Sequence, residues 1–486
     1  MYIGIDLGST NTKAALYSEN LTLLDQKGCP VEYFRQDGFV EFDILAYYES
    51  LQAQLKALLQ AHPEATVRQI AFTGQAESLV CLDENGDPVG NAISWMDERS
   101  TEECALLASQ FSDTVCRRVT GQQAVLPTWP ATKILWLRRN RPEAFARVRC
   151  FMLLKDYIVY RLTGKKCADM SIATFSFYFD IYRKCYWQEM LDAIGITTNQ
   201  LPALVEPCTV VGTLTESAAS ATGLPVGTPV NVGTLDHFAG MIGTGNTTPG
   251  TMTLSTGTAM VLATMAAEDT SPDCGIAMHY GFLPDTHVML PVMESGGNCL
   301  EWFRRTCLNN IDYDMLNHEI ENAPEAPELL FLPYLVGTNA PEFDSEATGV
   351  FFGLRQEHTA FHMAKAVMEG VSFVLRKNCD DIISKGTPID CIIATGGGAK
   401  SAVWCQMQSD ITGLPVVVPK VSEAACLGAA MIAAQNDGCY ADLSAAAADT
   451  VKIVRRYLPR TTEKTEQSYR KFCKLYDAML EIAKLS

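Results

Sequence analysis

The feature that most constrains this chain is a phrase it uses twice. "YIGIDLGSTNTKAALY" at residues 2–17 alternates apolar and small residues in the manner of a strand, breaks at a turn of Gly, Ser and Thr, and resumes as a second strand. "GTMTLSTGTAMVLATMA" at residues 250–266 repeats that order: apolar strand, Ser-Thr-Gly-Thr turn, apolar strand. Two copies of one unusual hairpin point to an internal duplication. The boundary between halves is expected near residues 244 to 250, giving domains 1–245 and 246–486.

Other segments fit an α/β chain built twice. A third strand follows the first hairpin, helical spacing runs through "ILAYYESLQAQLKALLQAH", and "IAFTG" reads as a buried strand. A second hairpin covers "LVCLDENGDPVGNAISWMD", with its turn at Asn85-Gly86-Asp87-Pro88. From about residue 100 to 225 the pattern is mostly helical, after which "GTPVNVGTLDHFAGMIGTGN" gives a strand running into a small-residue helix. The second half offers a long helix around "AFHMAKAVMEGVSFVLRKNCDDIISKG" and a strand "IDCIIATGGGAK", followed by a helix "SAVWCQMQSDITG" and a strand "PVVVP". It closes with a close-packing helix "AACLGAAMIAAQ" and a tail helix over residues 462–484.

Composition narrows the partners. The 486 residues exceed one ordinary core, and 48% apolar with 19% charged residues is usual for a globular chain. A net charge of −18 with no basic run would repel a phosphate backbone, which argues against nucleic acid. The 17 cysteines scatter without C-x-x-C pairs or zinc spacing and are expected to be reduced thiols. No stretch approaches the length of a membrane span, and "MYIGIDLGST" lacks a basic n-region and a continuous apolar h-region. The expectation is a cytoplasmic protein with no membrane partner.

Four motifs carry chemistry. In "DLGSTNTK" a strand ends at Asp6 and turns through Gly8, Ser9, Thr10, Asn11, Thr12 and Lys13. Backbone N–H groups and hydroxyls converge there, which is how an anion is cradled without a basic patch. Asp6 at the strand end can hold Mg²⁺ directly or through water. Read alone, the stretch is equally a plain hairpin turn with a solvated Asp, and it is not a Walker loop. Ser255, Thr256, Gly257 and Thr258 repeat the arrangement, and two such turns can grip the phosphates of one nucleotide. Gly396, Gly397 and Gly398, between a buried strand and a helix, let a flat group approach the backbone; a purely structural connection is the alternative.

The fourth motif is "TGQAESLV" with "SWMDERS". Gln75 and Glu77, beside Ala76, can take hydroxyls, and Trp95 can offer an apolar face to a sugar. The competing expectation is a core Trp95 and a surface pair of Asp97 with Arg99, and the surface pair is preferred for Arg99. Asp236 and His237 stand together in "GTLDHFAG". No G-x-S-x-G elbow or reactive cysteine context accompanies them, so a hydrolase finds no nucleophile.

Taken together, these residues resemble the FGGY carbohydrate kinases, which phosphorylate ketoses, polyols and related sugars with Mg²⁺-ATP. The resemblance covers nearly the whole chain. "IGIDLGSTNTKAALY" is similar to their first phosphate motif, "LSTGTAMVL" to their second, and "ATGGGAKSAVWCQMQSDITGLPV" to their adenosine motif. Gly349, Phe351, Gly353, Leu354, His362, Met363, Ala366, Val367, Met368 and Glu369 fit the carboxyl-terminal signature. Pro130, Lys133, Trp136 and Asn140 fit the amino-terminal one, while Thr128 stands where the family usually has an aromatic or small residue.

The resemblance implies a duplicated actin-like ATPase fold of two RNase-H-like domains around a catalytic cleft that closes by domain rotation. It implies ATP and Mg²⁺ as cofactors, a small-molecule sugar as substrate, and a homodimer. Carried over, the catalytic base falls on Asp236 and the Mg²⁺ ligand on Asp6. Thr10, Asn11, Thr12, Lys13, Thr256, Gly257 and Thr258 fall near the phosphates; Gly396, Gly397, Gly398 and Ser401 fall near the adenosine. Gln75, Ala76, Glu77, Trp95 and His237 fall at the sugar.

Glycerol kinases show Arg-Glu where this chain has Ala76-Glu77, xylulose kinases show Met-His there, and both usually carry Gln or Asn where this chain has His237. The expectation is a ketose, a pentulose such as xylulose. Alternatives are a polyol, glycerol or hexulose kinase, and, in another class, a non-catalytic actin-fold ATPase or a sugar sensor.

Overall fold

The computed structural model describes residues 1–483 and separates into two units. The first comprises residues 1–247, 277–288 and 421–451; the second comprises 248–276, 289–420 and the chain from 452 onward. This differs from a division at residue 245 into contiguous halves. Two segments of the carboxyl-terminal half pack within the first unit.

The first unit is built on a six-stranded sheet of β1 (Tyr2–Leu7), β2 (Asn11–Tyr17), β3 (Leu23–Pro30), β4 (Gln69–Gly74), β5 (Val210–Thr213) and β6 (Pro229–Leu235), in the order β5-β6-β4-β1-β2-β3. β1, β4 and β6 run parallel, while β2, β3 and β5 are antiparallel to their neighbours. Every residue of β4 is buried, as expected for a parallel strand covered on both faces. The helix Ile44–Ala61 covers one face, with Asp43 accepting from the N–H groups of Leu45 and Ala46 and with Tyr47, Tyr48, Leu51, Leu55 and Leu58 turned inward. The stretch 100–225 is largely helical, yet it contributes β5 as an edge strand of the central sheet. β5 is four residues long with no fully buried position, too weak a pattern to stand out in the sequence.

The second unit repeats the plan. β7 (Gly250–Thr256), β8 (Met260–Met265), β9 (Ile389–Gly396), β10 (Val416–Pro419) and β11 (Ile453–Tyr457) lie in the order β8-β7-β9-β10-β11. β7, β9 and β10 are parallel; β8 and β11 are antiparallel. An antiparallel hairpin followed by two parallel strands is thus common to both units. The tail helix runs Glu463–Ala483 and buries Phe472, Tyr476 and Met479; the expected end at residue 484 lies outside the described residues.

The helix Ala424–Asn436 explains why residues 421–451 join the first unit. Its small residues let three backbones meet. A Cβ added at Gly4 in β1 would lie 1.9 Å from the Cys426 carbonyl oxygen, one at Gly243 1.9 Å from that of Ala424, and one at Gly428 1.9 Å from that of Ala239. Only glycine allows these approaches. The first unit also buries charge. Lys155 is fully enclosed and bonds the Asp169 carboxylate, while both oxygens of the neighbouring Asp156 find no hydrogen-bond partner among the described residues. Burial pushes the Asp156 carboxyl up to about 8, with Lys155 opposing and Asp169 adding.

Two outcomes follow. Gly243→Ala lowers the thermal midpoint by an amount equivalent to about 1–3 kcal/mol, because backbone rather than a flexible side chain must move. Gly240→Ala in the same helix, where an added Cβ meets nothing within 4 Å, leaves stability equal or higher. Asp156 binds its proton more tightly folded than unfolded, so its contribution is complete below the ordinary value of 3.8 and is lost as pH rises through about 8. Asp156→Asn therefore gains stability over the parent in melts at about pH 9 and gains far less at about pH 5. Equal differences at both pH values would show that Asp156 does not titrate in this window.

Candidate active site

The carboxyl ends of three parallel strands are in register: Leu7 stands opposite Gly74, and Gly74 opposite Leu235. Asp6, Gln75 and Asp236 therefore converge at one edge of the first unit's sheet, the edge where open α/β sheets place their ligands. Asp236 opens the helix Asp236–Thr244, where the positive end of the helix dipole favours a carboxylate, and its Oδ1 accepts from the His237 N–H at 2.6 Å. His237 itself is exposed. Asp6 Oδ1 is buried with no hydrogen-bond partner among the described residues. Its carboxyl is pushed up to about 7, first by burial and then by the charge of Asp236, with Lys13 opposing and Glu423 adding. A buried carboxylate oxygen without a donor, facing a second carboxylate, is an arrangement a hard divalent cation would neutralise.

The turn between β1 and β2 is held by its carbonyls. Tyr33 Oη donates to Ser9 O at 2.8 Å, Tyr47 Oη to Gly8 O at 3.4 Å, and Gln75 Nε2 to Gly8 O at 3.3 Å. That leaves Thr10 exposed and Asn11 partly exposed. Thr12 departs from the expected set: it is 2% exposed, and its hydroxyl bonds Cys29 O at 3.4 Å and the Gln54 amide. Strand alternation turns it into the sheet's packed face, away from any ligand at the turn. Lys13 pairs with Glu423 at 2.7 Å. Glu423, immediately before the helix Ala424–Asn436, is a site neighbour that no local motif announced, being 410 residues away in sequence.

Beyond β4, Ala76 and Glu77 are partly exposed. Glu77 adopts a left-handed backbone at φ 63°, unusual for a residue with a side chain. Burial pushes its carboxyl up, while Lys133 and Thr128 oppose. Trp95 is 39% exposed and not core, whereas Asp97 is 0% and the Arg99 side chain 3% exposed, so the expected surface pair is a buried one. Arg99 grips Asp97 through Nε at 2.8 Å and Nη2 at 2.7 Å, reaches Glu41 at 2.7 Å, and lies over the rings of Phe39 and Trp136. Asp97 also accepts from the Val40 N–H at 2.6 Å. The enclosing residues come from positions 39–41 and 136, so the local sequence could not reveal the burial.

In the second unit Thr256 and Gly396 face each other across β7 and β9. Gly396 has φ 74°, and a Cβ at Gly398 would come within 2.7 Å of the Thr256 Cβ, so the three-glycine stretch seats directly on the Ser-Thr-Gly-Thr turn. Gly257, Thr258, Gly396 and Gly397 are exposed. Ser401 is largely committed elsewhere: its hydroxyl accepts from the Trp404 N–H at 3.1 Å as a helix cap and donates to Asn317 at 2.7 Å. Gly296 and Gly297 were missed by the sequence reading. The Gly297 N–H donates to Gly257 O at 2.8 Å and the Asn298 N–H to Thr258 O at 3.1 Å, pinning the turn against the start of the helix Gly297–Cys307. The pair "GG" before a helix was the available signal.

Among the described residues no group of three or more His, Cys, Asp or Glu side chains forms a metal cluster, and no helix is long and apolar enough to cross a membrane. All 17 cysteines are free thiols.

Comparisons with known proteins place the chain among sugar kinases. The chain is 29% identical over 483 residues to the xylulose kinase of Bacillus subtilis, covering 98% of this chain and 95% of the relative. It is 32% identical over 417 residues to the xylulose kinase of Escherichia coli, covering 85% of each. It superposes on the crystal structure of a xylulose kinase from Lactobacillus acidophilus with a TM-score of 0.89 at 26% identity, covering 100% of this chain and 98% of that one. Residues 1–243 match the N-terminal domain, and residues 252–436 the C-terminal domain, of the FGGY family of carbohydrate kinases. This chain belongs to that family.

Proposed function

We propose that the protein transfers the γ-phosphoryl group of ATP to a hydroxyl of a ketose, a pentulose such as xylulose, with Asp236 as general base. The observation that carries this reading is the convergence of Asp6 and Asp236 at the strand ends, one carboxylate enclosed with an oxygen unpartnered among the described residues, the other at a helix start and partly exposed. The names of the similar proteins support xylulose as the sugar. Glu77 matches the glycerol-kinase pattern, which favours glycerol or another polyol as the second reading.

Asp236 would take the proton of the attacking hydroxyl as its oxygen bonds to the γ-phosphorus and ADP departs, a contribution of roughly 10²- to 10⁴-fold in rate. Asp6 would hold Mg²⁺, which when bound offsets the charge of the phosphates. Thr10 and the exposed turn at Gly257 and Thr258 offer hydroxyls and N–H groups to phosphate oxygens. Gly396 and Gly397 leave open backbone for the adenosine. Glu77, Trp95 and His237 would contact the sugar, Glu77 taking hydroxyls and Trp95 supplying an apolar face. The cytoplasm, where ATP is abundant, is the proposed location.

ADP release measured across pentuloses, hexuloses, polyols and glycerol should single out a ketose. Asp236→Ala should lower kcat on that sugar by about 10²- to 10⁴-fold with nucleotide binding retained; full activity of the variant on any sugar removes Asp236 from the mechanism. A Cβ at Gly296 would lie 2.5 Å from the Ala259 carbonyl carbon and 2.7 Å from Thr258 O, both backbone. Gly296→Ala should therefore displace the turn and raise the KM for ATP about tenfold, leaving the sugar KM unchanged.

A further inference from the structure

Lys133 lies within the helix Pro130–Asn140 and is 0% exposed. Its Nζ donates to Ser94 O at 2.8 Å and reaches Glu77 O at 3.5 Å. Among the described residues no carboxylate comes within ion-pair distance of it. An enclosed ammonium held only by carbonyls is costly, and burial accordingly pulls the Lys133 pKa down, with Glu77 and Asp97 opposing and Arg99 reinforcing. A methionine would fill the same volume without that cost. The cation must therefore do something that volume does not.

Its two acceptors show what. Ser94 O belongs to the loop that presents Trp95, and Glu77 O to the loop whose backbone is held at φ 63°. The same two loops are joined again by Ser78, whose Oγ donates to Gln75 Oε1 at 2.9 Å and accepts from the Trp95 N–H at 3.1 Å. Asp97, the other carboxylate whose charge acts on Lys133, is already held bidentate by Arg99 and makes no direct bond to the ammonium among the described residues. A left-handed non-glycine residue persists only where its surroundings over-determine it. Here that over-determination is one cation and one hydroxyl.

We propose that Lys133 is a positioning residue for the acceptor sugar: it clamps the Glu77 and Trp95 loops together and orients the Glu77 carboxyl towards the substrate. This rests on the reading of Glu77 and Trp95 as sugar contacts. Lys133 acts through them and touches no reacting atom.

The test is steady-state kinetics of the full-length enzyme on its best sugar. Lys133→Met, which keeps the volume and removes the charge, should raise the sugar KM about 10- to 100-fold, the range for losing a charged hydrogen bond, while the KM for ATP stays within about twofold. In a Glu77→Gln background the same substitution should add little, because the two residues act as one unit. A purely structural lysine would instead affect both substrates and would add fully to Glu77→Gln. Lys133→Gln, which keeps a donor for Ser94 O, should lie between parent and Lys133→Met. An unchanged sugar KM in Lys133→Met, full additivity with Glu77→Gln, or failure of both Lys133 variants to fold would each overturn the proposal. A parent without sugar-dependent ADP release would refute the functional reading itself, and so is distinct from an active parent whose Lys133 variants match it.

Discussion

Everything at the proposed catalytic edge depends on one close approach of backbones. The helix Ala424–Asn436 can lie against β1 and against the helix Asp236–Thr244 only because Gly4, Gly243 and Gly428 carry no side chain. Dispersion between surfaces that near is large in sum and steep in distance, so the contact fixes positions tightly. β1 carries Asp6, the second helix begins with Asp236, and Glu423, which pairs with Lys13, stands at the start of the third element. One packing contact thus sets the relative placement of four charged groups.

Charge in the first unit then divides into two kinds. Arg99 with Asp97, and Lys155 with Asp169, are enclosed pairs whose donors and acceptors find partners. Asp6, Asp156 and Lys133 are not paired off in this way. Among the described residues Asp6 keeps an oxygen with no donor, and Lys133 an ammonium with no carboxylate within ion-pair distance. Unpaired buried charge recurs at functional sites, and Asp6 and Lys133 flank the strand ends proposed for metal and sugar, whereas Asp156, its carboxyl pushed up to about 8 by burial, is accommodated by holding its proton.

The duplication was legible because strand alternation and turn chemistry are local, and both copies of the hairpin lie where the repeated phrase indicated. The position of Asp236 was legible for the same reason: a carboxylate among small apolar residues at a strand end stands out, and it does follow β6. The burial of Thr12 was not legible because alternation, not composition, decides which side of a strand a hydroxyl takes. The Asp97–Arg99 pair was misread because its cover comes from Phe39, Val40 and Glu41 on a different strand. Glu423 had no local pattern to mark it, and the Gly296-Gly297 pair only a glycine pair before a helix; both matter through neighbours that only the fold supplies.

The assignment of residues 421–451 to the first unit has a consequence for biosynthesis. The segment that closes the first unit's packing leaves the ribosome about 200 residues after residue 247, which at 5–20 residues per second is roughly 10 to 40 seconds later. Throughout that interval the face of β1 at Gly4 and the groove beside Gly243 are without their covering helix. The amino-terminal half of the nascent chain therefore emerges with an apolar surface awaiting its own carboxyl-terminal segment.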